Sequence, residues 1–161
     1  ALISTAAGVF RYVPPTTPQG AWDVTCLLVQ PTSDIVATDF DGDGKLEILT
    51  FSKFHGDTLA IWHEGQTRDR YEQIWCDPQK RSFLHALWAA DLNGEKCAVI
   101  GNRKDGRDLL LVRYVDGEYT VDVIDHDLGP ANCMVYRHDG SDYIVAAYRE
   151  TDQLALYKVV E

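Results

Sequence analysis

One recurring pattern constrains the fold of this chain more than its composition does. Ala37-Thr38-Asp39-Phe40-Asp41-Gly42 returns as Ala89-Ala90-Asp91-Leu92-Asn93-Gly94 and, more loosely, as Val135-Tyr136-Arg137-His138-Asp139-Gly140. Self-similarity at a period of about 45–52 residues marks an array of small repeated units. After each copy comes an apolar strand (47–51, 97–101, 143–148), a polar turn (53–57, 103–107, 149–152) and a further strand (58–63, 109–114, 153–159). Two units carry a fourth strand, 71–76 and 119–125, and Asp116-Gly117 before the latter is a strong hairpin signal. No helical periodicity lies between them. Four short strands per unit predict an all-β chain of antiparallel, four-stranded β-propeller blades.

The start of the chain fits the same scheme. Residues 2–5, 9–12 and 22–29 read as strands two to four of an earlier blade, with Pro14-Pro15-Thr16-Thr17-Pro18 as a loop. The expected units are 1–33, the end of one blade; 34–81, the blade with an acidic loop; 82–130, another blade; and 131–161, an incomplete one. Propellers close with roughly four to eight blades, and an open arc exposes two sheet edges. The remaining blades are therefore expected from further sequence or another chain.

The acidic loop is Asp39-Phe40-Asp41-Gly42-Asp43-Gly44-Lys45-Leu46-Glu47. Its four carboxylates would repel one another along a strand, but on a tight loop they converge on a hard cation. Oxygen-only ligation suits Ca²⁺, and Gly42 and Gly44 permit positive-φ turns. The spacing starts like an EF-hand, yet position 12 of that pattern is Thr50 and Glu47 stands at position 9, so an EF-hand is excluded. The alternative is a polar hairpin turn without metal.

This loop resembles the calcium loop of FG-GAP/VCBS-type propeller repeats. The resemblance implies calcium ligands at Asp39, Asp41, Asp43, the carbonyl of Lys45, and Glu47, where that family more often has Asp. Asp91-Leu92-Asn93-Gly94-Glu95 is shorter and lacks the late acid, and His138-Asp139-Gly140-Ser141-Asp142, preceded by Tyr136-Arg137, has no acid at the first ligand position, so neither is assigned an ion. A second resemblance is carried by His85-Ala86-Leu87-Trp88-Ala89-Ala90-Asp91, Gly101-Asn102-Arg103, Ala131-Asn132 and Ala146-Ala147-Tyr148-Arg149-Glu150. These look like blades of aldos-2-ulose dehydratase-type proteins, which implies a sugar lyase built partly on a propeller.

Strand alternation places the two–three and four–one loops of every blade at one end and the acidic loop at the other. The first end gathers His55, His85, Arg103 and Arg149 as candidate catalytic groups, with Asp57, Trp88, Asn132 and Glu150 as ligand-binding ones. Histidines, arginines and carboxylates there would suit a second divalent metal near His55 and His85, or proton abstraction beside a sugar carbonyl with cationic support of the enolate. The bland alternatives are solvated histidines and surface pairs of Arg103 with Asp105 and of Arg149 with Glu150. His63, His126 and His138 read as surface residues. The expected partner is a small sugar or glycan, and a non-catalytic ligand- or protein-binding module is the competing class. A net charge of −10 argues against nucleic acid and anionic membranes, and no run of 18 apolar residues occurs. Cys26, Cys76, Cys97 and Cys133 lie in apolar, strand-like settings without CxxC spacing. They are expected as free, mostly buried thiols, pointing to a reducing, cytoplasmic setting, with secretion as the alternative.

Overall fold

A computed structural model describes residues 1–160. Those residues form fourteen strands in four separate antiparallel sheets, with no helix among them and no sheet closed on itself. The first sheet is β1 (Leu2–Thr5), β2 (Gly8–Val13) and β3 (Asp23–Leu28); the second is β4 (Thr32–Thr38), β5 (Glu47–Ser52), β6 (Leu59–Glu64) and β7 (Tyr71–Cys76). The third is β8 (Leu84–Leu92), β9 (Glu95–Asn102), β10 (Leu109–Val115) and β11 (Glu118–Asp125); the fourth is β12 (Pro130–His138), β13 (Ser141–Tyr148) and β14 (Gln153–Lys158). Each sheet is a meander in which sequence neighbours pair. Every strand expected from the sequence is present, and the all-β class holds.

The sequence repeat reappears in backbone detail. β4, β8 and β12 each slip register by one residue near their start, between Thr32 and Asp34, Leu84 and Ala86, and Pro130 and Asn132. The extra residues are Ser33, His85 and Ala131. Such a bulge bends a strand and increases its twist, so recurrence at one place gives the three strands the same curvature. These strands also lie beside one another: β12 packs on β8 and β9, β4 on β8, and β1 on β4.

The core lies between sheets. In β9, Cys97 and Val99 join the cluster facing the fourth sheet, whereas Ala98 and Ile100 join the cluster facing the second. In β5, Ile48 faces the first sheet and Leu49 and Phe51 face the third. Successive side chains leave a strand on opposite faces, so a strand covered on both sides reads as an unbroken apolar run. Close approach of the third and fourth sheets depends on Gly101, where a Cβ would stand 2.7 Å from Pro130 atoms.

All four cysteines are free. Cys97 and Cys133 are buried, and burial pushes each thiol up to about 12. Cys26 is only half-buried and Cys76 is exposed, on the outer strand β7, so the expectation of mostly buried thiols holds for two of them. Among the described residues no helix is long and apolar enough to cross a membrane.

Candidate functional site

The β4–β5 turn wraps its carboxylates around its own backbone. Asp39 accepts from the N–H of Gly42 at 2.8 Å and of Gly44 at 3.1 Å. Asp41 accepts from Asp43 N–H at 3.1 Å, and Asp43 accepts from Lys45 N–H at 2.8 Å. Gly42 and Gly44 adopt φ of 76° and 88°, the region where a side chain is strained. Asp39, Asp41 and Asp43 thereby bring oxygens within 4.8 Å of one another. Lys45 is held in the turn by its N–H, leaving its carbonyl as the expected fifth donor.

Glu47, at the first position of β5, is wholly buried. Its Oε2 accepts from Phe40 N–H at 2.7 Å, while its Oε1 is buried without a partner. Burial raises the Glu47 pKa and the charge of Asp41 adds to it, opposed by the Phe40 N–H and His63. Asp43 is moved the other way, chiefly by the Lys45 N–H. A half-satisfied buried carboxylate beside three more acids is an arrangement that a bound cation would complete. His63, at the end of β6, belongs here too: it is not the surface residue expected, with only 19% of its side chain exposed and Nε2 3.3 Å from Asp43.

At the opposite end, the β5–β6 turn delivers His55 at φ 49°. Its ring stacks on Phe83 at 4.0 Å and on His85 at 5.1 Å, and tilts against Phe54 at 3.8 Å. His55 and His85 are thus brought together from neighbouring sheets. Burial lowers the His55 pKa, and the charges of His85 and Arg103 add to the shift. His85 Nδ1 lies 2.8 Å from the carbonyl of Ala131. A carbonyl only accepts, so Nδ1 carries the proton and the neutral ring keeps its lone pair on Nε2. Asp34, at the start of β4, is close enough for its carboxylate to feel the charge of His85.

Arg103 sits 4.9 Å over the Phe83 ring and donates to Glu150 from Nε at 2.9 Å. It therefore joins the third sheet to the fourth, rather than pairing with Asp105. Asp57 is engaged by Thr58 at 2.8 Å and Lys80 at 3.4 Å, and Arg149 is exposed in the β13–β14 turn. Parallel ring faces direct their nitrogen lone pairs alongside one another instead of at one point. Among the described residues, the convergent groups of three ligating side chains are Asp39–Asp41–Asp43 and Asp43–Glu47–His63, both at the acidic loop.

Between the two ends, Trp88 of β8 and Asn132 of β12 line one concavity of about 220 Å³ with Cys133, Met134, Val145 and Ala147. Trp88 remains 41% exposed. No protein-family model matches the chain, and no curated protein matches it.

Sequence reasoning passed over Phe83, which carries the stack between His55 and Arg103, and Asp34. A signal existed for the first: Phe83 stands two residues before His85, immediately ahead of an inner strand. No spacing rule could have attached His63 to the acidic loop, because the contact spans twenty residues across two turns.

Proposed function

We propose that this chain is an arc of an FG-GAP/VCBS-type β-propeller that binds carbohydrate on its inner strands and holds a calcium-type ion in the 39–47 loop. The propeller reading is supported by four successive meanders packed side by side, of which the first strands β4, β8 and β12 share a bulge. Completion of the ring falls to further sequence or another chain. The observation that carries the binding reading is the half-exposed Trp88 beside Asn132 in a shared concavity. An aromatic face packs on the C–H face of a sugar ring, and a carboxamide pairs with its hydroxyls.

Titration calorimetry with keto-sugars and short glycans tests this reading. Trp88→Ala should weaken binding about tenfold, since aromatic contacts of this kind contribute roughly 0.5–1.5 kcal/mol beyond area. Equal affinity in wild type and variant would remove the site.

A lyase is the second reading, favoured by the fixed tautomer of His85. Its Nε2 lone pair can take a proton α to a sugar carbonyl, and Arg103 is the nearby cation. Loss of turnover in His85→Ala with binding retained would select the lyase; no turnover in the wild type would leave the binding module.

The cation supports the fold in this scheme. Saturating calcium, at one hundred times its Kd, should stabilise the protein by about 2.7 kcal/mol through mass action. Asp41→Ala should lose that increment, and a chelator should remove it from the wild type. The sign for Glu47 follows from its raised pKa: folding without metal favours the protonated form. That contribution is complete on the acid side of the carboxylate range and is lost as pH rises through the raised value. Glu47→Gln should therefore be no less stable than wild type in chelator at neutral pH, and less stable in calcium. Identical thermal unfolding with calcium and with chelator would make the loop an empty turn.

A further inference from the structure

The imidazole at the edge of the acidic loop changes which ions it can select. His63 Nδ1 lies 2.8 Å from the backbone carbonyl of Glu64, which can only accept, so Nδ1 is protonated. The other ring nitrogen, Nε2, faces two carboxylates, 3.3 Å from Asp43 Oδ2 and 3.7 Å from Glu47 Oε1. Three electron-rich atoms meeting there need something positive between them, a proton on Nε2 or a metal ion. Glu47 Oε1 is the fully buried oxygen that has no other partner, and it faces this same gap.

We propose that Asp43, Glu47 and His63 form a mixed nitrogen–oxygen site for a first-row divalent ion of the Zn²⁺ type. A tetrahedral ion with bonds of about 2.0–2.1 Å holds its ligands about 3.3–3.4 Å apart, close to the spacings found. Calcium takes oxygen ligands, whereas imidazole is a preferred donor to zinc and its neighbours. The carbonyl of Glu64 fixes the tautomer, as the outer partner of a metal-bound histidine commonly does. Three protein ligands leave a fourth position for water or an anion. The site shares Asp43 and Glu47 with the calcium reading, so the two ions compete, and residues outside the shared pair separate them.

The test uses metal-stripped protein carrying Cys26→Ser and Cys76→Ser, which removes the accessible thiols that would themselves take zinc. Calorimetric titration with Zn²⁺ and, separately, Ca²⁺ is compared in that background, in His63→Ala and in Asp39→Ala. One zinc equivalent is expected, weakened at least about tenfold to hundredfold by His63→Ala, with calcium affinity little changed. Asp39→Ala should do the reverse. The His63 ring nitrogens should show metal attachment at Nε2 by NMR. If His63→Ala unfolds, His63→Gln replaces it, with circular dichroism verifying the fold. Zinc binding that ignores His63, or no zinc binding at all, overturns the proposal. Calcium binding without zinc leaves the calcium reading standing alone, and zinc without calcium removes that reading and keeps this one.

Discussion

Replacing Arg81 by alanine should destabilise the protein by about 3–5 kcal/mol, the cost typical of breaking a buried ion pair from one side. Arg81 and Asp77 belong to the β7–β8 connection, with 7% and 3% of their side chains exposed and Nε 2.8 Å from Oδ2. Nη1 of the same guanidinium reaches towards Asp108, in the β9–β10 turn, at 3.8 Å. Burial already raises the Asp108 pKa, and the Arg81 charge works against that. Truncation would leave two carboxylates facing each other out of water. Lysine should not restore the loss, because its single nitrogen cannot stand beside both carboxylates as the separated Nε and Nη1 of the guanidinium do. The combined Arg81→Met and Asp77→Leu variant should recover part of it, since it removes the two most buried charges and leaves only Asp108, which is nearer solvent, without its cation. Urea midpoints for the three variants decide the matter. A cost under about 1 kcal/mol for Arg81→Ala would mean that solvent screens the pair.

Phe51→Ala should cost a similar amount, about 3–5 kcal/mol. The Phe51 ring is fully buried in a cluster that draws Phe40, Leu49, Leu59 and Ile61 from the second sheet and Leu84, Ala98, Ile100, Leu110 and Val112 from the third. The hole left behind is bounded by both sheets, and neither can collapse into it without breaking its ladder. Far-ultraviolet dichroism and tryptophan fluorescence should shift together to lower urea, because the core that weakens is shared. Separate transitions for the two probes would show that the second and third sheets unfold independently.

Much of the fold was legible locally. Alternation, turn residues and the recurring Asp-x-Asp/Asn-Gly motif located most of the strands, because a strand's period and a turn's φ requirements are written within a few residues. The acidic loop was legible for the same reason: Asp39, Asp41, Asp43 and Glu47 lie within nine positions, and their convergence follows from turn geometry alone. The shared end of His55 and His85 was also accessible, since counting antiparallel strands is enough to fix it.

Tertiary structure decided the rest, and the reason is which face meets which neighbour. Glu47 begins an apolar strand, and only packing between two sheets makes its carboxylate fully buried with one oxygen unpaired. His63 looked like a solvated strand end, yet the β6 terminus carries it over the β4–β5 turn. Arg103 had a nearer acid in Asp105 and found Glu150 instead, because the fourth sheet stands beside the third. Local sequence specifies strands, turns and the ligands inside one loop. Partners chosen across sheets depend on twist and bulge geometry summed over many residues, and the sequence alone determined none of them.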